Sequence, residues 1–76
     1  MPDHVAELKK WHNRCEVHQA EALSGAGIKA KHAQAMWLVA ARMFECYADG
    51  RQNSPPCQQW FTEYKELWQE RYGTAP

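Results

Sequence analysis

Apolar side chains recur along this chain at the three- and four-residue spacing of an α-helix, in three separate stretches. In the first, Leu8, Trp11, Cys15, His18 and Ala22 follow one another at 3-4-3-4 intervals, with Val5 extending the row. Lys9, Lys10, Asn13, Arg14, Glu16 and Glu21 fall outside it, the division expected of a helix with one face toward a core. Asp3 is a favourable N-cap residue. Ser24-Gly25-Ala26-Gly27 stops the pattern, because glycine accepts the left-handed backbone that ends a helix. A helix over about 4–23 is expected.

The second stretch covers about 28–48. His32, Met36, Val39, Met43 and Cys46 form its stripe, while Trp37, Leu38, Ala40, Ala41, Phe44 and Tyr47 spread apolar surface around most of the circumference. A helix of that kind has to be covered on more than one side. It is expected to be central. Asp49-Gly50 ends it, and Ser54-Pro55-Pro56 opens a third helix over about 55–72, with serine as N-cap and proline in the first turn. Trp60, Phe61, Tyr64, Leu67, Trp68 and Tyr72 make a broad aromatic stripe there, Glu63, Lys65, Glu66 and Glu70 keep to water, and Gly73 closes the helix. Val, Ile and Thr are scarce and no strand pattern competes.

The fold class predicted is therefore all-α. The three-helix arrangement expected is an antiparallel helical hairpin plus a third aromatic-rich helix, forming one domain over 1–76. A chain of 76 residues buries only about 60–65% of its unfolded surface. A second copy sharing the apolar surface would add to that burial, so a homodimer is expected.

Charge narrows the function classes. Nine basic side chains balance nine acidic ones, and no arm or tail of one sign exists. Gripping a phosphate backbone requires a cationic face, so nucleic acid is not expected as a partner. A helix-turn-helix reading of the first two helices has only Lys29, Lys31, His32 and Gln34 to offer, all in the first turns of the second. The longest apolar stretch, 36–48, is broken by Arg42 and Glu45 and falls short of the ~20 residues a membrane span needs. Three cysteines without framework spacing, and no leader-like N-terminus, point to a soluble protein with reduced thiols in a cytoplasm.

Three chemistries remain to be weighed. Cys15, His18 and His32 are the one set that resembles a metal site, since Cys and neutral His suit zinc. Cys15 and His18 are three residues apart on one face, and a hairpin would bring His32 opposite His18. Against this, paired zinc-binding knuckles are missing, and a small core thiol with hydrogen-bonded histidines explains the same residues. A cysteine nucleophile, Cys15 with His18 or Cys46 with His4, lacks any visible stabilising group. Cys46 and Cys57 stand at the end of one helix and the start of the next, and a redox pairing is a minor expectation. No enzyme activity and no cofactor are expected.

The aromatic residues carry the favoured reading. Five of the nine lie in the last 23 positions, and Trp and Tyr are favoured anchors at protein contacts. The chain is read as a small protein–protein interaction module, an accessory regulator or inhibitor that occludes a partner surface. Its expected partner-binding residues are Trp60, Phe61, Tyr64, Trp68 and Tyr72, with Trp11 and Trp37 as further anchors.

Overall fold

In a computed structural model, which describes residues 4–76, the chain forms three helices and, among the described residues, no strand. They are α1 (His4–Ser24), α2 (Gly27–Ala48) and α3 (Pro55–Tyr72). The all-α expectation holds; the Asp3 cap lies outside the described residues. The molecule is elongated, 37 × 19 × 19 Å, close to the ~32 Å length of its longest helix at 1.5 Å per residue.

α2 is the central element. It buries Ala33, Met36, Val39, Ala40, Met43 and Cys46, and it packs against both α1 and α3. Trp11 from α1 and Tyr64 from α3 complete a core with Met36, Val39, Ala40 and Met43. Along the α1–α2 seam, the His12 ring lies 6.2 Å from Phe44, and Cys15 approaches the Trp37 carbonyl at 4.0 Å. The seam closes at Gly25, where a side-chain carbon would fall 2.8 Å from the Glu21 carbonyl oxygen. Only glycine fits there.

Two helix ends differ in how they follow the sequence. Gly73 ends α3 in the left-handed conformation (φ 73°), its N–H donating to the Gln69 carbonyl, as a C-cap glycine should. Ser54 occupies the N-cap position without a capping hydrogen bond; its hydroxyl donates to the Arg51 carbonyl at 2.7 Å instead. Two prolines follow it, so one of the two backbone donors that an N-cap side chain usually satisfies is missing.

Cys46 and Cys57 form a disulfide across the α2–α3 connection, with Cα atoms 6.0 Å apart. This corrects the expectation that all three thiols are reduced; only Cys15 is free. The odd count misled because the helix ends that bring the pair together cannot be counted from composition. A cross-link of this kind persists in an oxidising compartment and is open to reduction elsewhere, so cysteine number no longer argues for a cytoplasm. Among the described residues, no helix is long and apolar enough to cross a membrane.

The bridge joins positions 11 apart, and closing a loop of about a dozen residues stabilises a fold by about 2–3 kcal/mol. Reduction, or a Cys46→Ser/Cys57→Ser pair, is expected to lower Tm by roughly 10–20 °C at this domain size. Circular dichroism melts with and without reductant measure the difference, and an unchanged melt would show that the helix ends hold together without the bond.

Candidate functional site

Side chains, not backbones, join α1 to α3. Among the described residues no Cα of one lies within 8 Å of a Cα of the other, so large rings span the gap. Trp11 meets Tyr64 edge-on at 4.9 Å between centroids and Phe61 at 6.2 Å. The Arg14 guanidinium lies over the faces of Trp11 at 4.6 Å, Tyr64 at 5.2 Å and Trp68 at 5.5 Å. A cation over an aromatic face is worth about 0.5–2 kcal/mol, more as water is excluded. Arg14, read from the sequence as lying off the apolar row, is half-buried.

Beneath this cover runs a line of polar groups. His18, 1% exposed, has Nε2 2.8 Å from the Tyr64 hydroxyl and Nδ1 3.5 Å from a Glu21 oxygen. Glu21 in turn pairs with Arg71 near the end of α3. The carboxylate on the Nδ1 side favours the proton on that nitrogen, so Tyr64 O–H donates to Nε2. The 3.5 Å separation is too long for a good hydrogen bond.

A carboxylate, an imidazole and a hydroxyl in series are the parts of a nucleophile-activating relay, and the environment turns each away from that task. Tyr64 is fully buried, and burial pushes its hydroxyl up to about 12 against the opposing charge of Arg14. It stays protonated. Burial also holds His18 below its ordinary value of 6.5; Glu21 pulls it back, while Arg14 and Arg71 add to the depression. Burial alone would raise Glu21, but the Arg71 hydrogen bond and charge, with His18, keep it below the usual 4.5. The result is a neutral His–Tyr pair and an ionised carboxylate tied to arginine. It fastens α1 to α3.

The cysteine and histidine chemistries weighed from the sequence find no support. Cys15, His18 and His32 are each engaged elsewhere: His18 with Tyr64, His32 at 3.6 Å from Glu70, and Cys15 beside the Trp37 carbonyl. Among the described residues no group of three or more His, Cys, Asp or Glu side chains is placed to hold a metal ion. Burial pushes the Cys15 thiol up, away from the reactive thiolate. Cys46, paired with Cys57, has no thiol to offer His4.

A second feature faces solvent. A groove of about 530 Å³ runs between α2 and α3, with Ala35, Leu38, Val39 and Arg42 on one wall and Trp60, Glu63, Glu66, Leu67 and Glu70 on the other. No α1 residue lines it. Leu38 stands in it 61% exposed, and Trp60 and Leu67 are half-buried. At 100° per residue the three glutamates fall within about 60° of one another on α3, beside the Trp60–Leu67 row.

The expected anchors therefore divide. Trp60 alone lines the groove. Trp11 and Tyr64 are core, which removes them from any surface role in this fold. Phe61 and Trp68 are half-buried against that core, and Tyr72 is exposed but packs its ring, tilted by 50°, against Trp68 at 4.5 Å. Trp37 is half-buried on α2 and does not line the groove. Sequence reasoning missed Leu38 as a site residue because it falls outside the stripe set by Met36, Val39 and Met43. The signal that was present is the 3-4 spacing of Glu63, Glu66 and Glu70 beside Trp60 and Leu67.

Comparison of the chain with protein-family models, with curated proteins and with solved structures yields no match, so the geometry is the ground for any functional reading.

Tyr64→Phe removes the partner of a buried imidazole nitrogen and is expected to cost about 1–3 kcal/mol, the penalty for an unsatisfied buried polar group, measured by urea titration. Acid is expected to destabilise in two legs. Below about pH 6.5 the unfolded chain takes up a proton that folded His18 resists, so stability falls as pH drops from 6.5 toward the lowered folded value. Glu21, held below 4.5, contributes stability that is fully present above 4.5 and is lost as pH falls from there through its lowered folded value. Urea midpoints across pH 4–8 should show the first leg in the wild type and a flatter profile in His18→Gln, each referred to its own value at neutral pH.

Proposed function

We propose that this protein is a small interaction module that seats a helical segment of a partner protein in the α2/α3 groove and thereby regulates or inhibits that partner by occlusion. One observation carries the reading: an apolar groove centred on exposed Leu38, bordered by Trp60 and Leu67, that no residue of α1 lines. The two lining stretches lie on helices, and a helix laid into such a groove would occupy the fourth position of a four-helix arrangement. Trp60 is the aromatic anchor best placed to meet it.

α1 and α2 are read here as an antiparallel hairpin. The contacts that support it pair Gly25 with Ala30, Cys15 with Trp37 and His12 with Phe44, positions that move apart symmetrically about the turn. Contact this far from the turn also weighs against a helix-turn-helix, whose helices cross near it. A non-enzymatic role is favoured because the hydroxyl and imidazole of the relay-like set, Tyr64 and His18, are buried among rings and Arg14.

The test uses two exposed positions of similar accessibility. Leu38→Asp and Val17→Asp replace residues that are 61% and 54% exposed, and surface changes of this kind usually shift stability by no more than about 0.5 kcal/mol. In affinity capture followed by light scattering of the complexes, Leu38→Asp is expected to lose the partner and Val17→Asp, outside the groove, to keep it. Retention by Leu38→Asp would refute the groove.

A further inference from the structure

The sorting of charge around the groove says what kind of helix belongs there. The chain as a whole is neutral, with nine basic and nine acidic side chains. α3 nevertheless places all three of its acidic residues, Glu63, Glu66 and Glu70, on the groove. Its two basic residues point elsewhere: Lys65 lies over the Phe61 ring at 4.9 Å, and Arg71 pairs with Glu21. On the opposite wall the one cation, Arg42, is shared with Glu45 at 3.3 Å. At the rim the His32 ring lies 3.6 Å from Glu70, and Lys65 shares a shallow surface depression with Glu66 and Glu70 on the side away from the groove.

Carboxylates three, four and seven residues apart on one helix face repel one another and destabilise the helix that carries them. They span about 10 Å of helix rise at 1.5 Å per residue, and they are not gathered into a cluster able to hold a metal ion. An extended row of negative charge beside an apolar seam is matched by an extended row of positive charge beside an apolar seam. We infer that the groove's partner is a basic amphipathic helix, with aliphatic or aromatic anchors at i, i+3 or i+4, and i+7 set against Leu38, Trp60 and Leu67, and Lys or Arg flanking them toward Glu63, Glu66 and Glu70.

The α3 wall from Trp60 to Glu70 is about 15 Å long, so two to three turns of the partner are engaged. A second copy of this chain is a poor occupant by the same logic, since symmetric docking of groove on groove would set one glutamate row against another. The inference rests on the groove being a helix-docking site, and the experiment separates the two claims.

Three synthetic helical peptides of four turns share one leucine seam and carry Lys and Arg, Gln, or Glu at the flanking positions. Each is titrated into isotope-labelled protein, with amide shifts and the Trp60 indole signal as readouts. The cationic peptide is expected to move Leu38, Val39, Trp60 and Leu67 and to bind at least about tenfold tighter than the glutamine peptide, the sum of three modest surface ion pairs. That advantage should shrink at high salt. The folded Glu63→Lys/Glu66→Lys/Glu70→Lys variant is expected to prefer the acidic peptide.

If the glutamine peptide moves the same residues and binds equally well, the groove stands and its charge preference is overturned. If no peptide perturbs the groove, both claims fall. If groove signals instead shift with protein concentration while light scattering reports a doubled mass, the occupant is a second copy, and the cationic partner is overturned.

Discussion

α2 is apolar around most of its circumference, and among the described residues two other helices are present to cover it. That constraint arranges the rest of the molecule. α1 takes one side through Trp11 and Cys15, and α3 takes another through Tyr64 and Leu67. With both helices pressed against α2, their own backbones stay apart, and the space between them is filled by the largest rings in the chain. Two helices still do not enclose the third. Leu38 is left exposed on the one flank where α2 and α3 meet without α1.

Each side of that arrangement has its own chemistry. On the covered side, the gap between α1 and α3 admits a polar line, Tyr64–His18–Glu21–Arg71, that in a wetter setting would read as a relay. Burial keeps the phenol protonated and the imidazole neutral, so the same atoms act as a fastening with acid sensitivity built in. On the open side, apolar walls and an acidic rim remain in contact with water. The molecule thus separates the groups that hold it together from those available to a partner, and the separation follows from where α1 lies.

The disulfide belongs to the same geometry. α2 ends and α3 begins close together because both pack along one seam, and Cys46 and Cys57 occupy those two ends. The cross-link sits beside the Arg42 and Trp60 end of the groove, fixing the separation of its walls where the connecting loop would otherwise let them spread. For a chain this short, a staple of that kind supplements a core that two helix contacts leave modest.

Much of the architecture was legible in the chain itself. Three helices, the break at Ser24–Gly27, the stop at Gly73, the central place of α2 and the inward-facing stripes of Leu8 to Ala22 and Met36 to Cys46 all follow from 3.6-residue periodicity and turn residues, which are local properties. Gly25, however, follows α1 without the left-handed backbone expected there. The site was legible only in part. Trp60 and the glutamate spacing were visible, but which aromatics face inward depends on how far α1 and α3 stand apart, a quantity that no local pattern encodes. Trp11 and Tyr64 became core, Arg14 became a lid over rings, and Cys46 found Cys57, each through partners 11 to 54 positions away. Periodicity tells a side chain which face of its helix it occupies; only packing in three dimensions decides what that face meets.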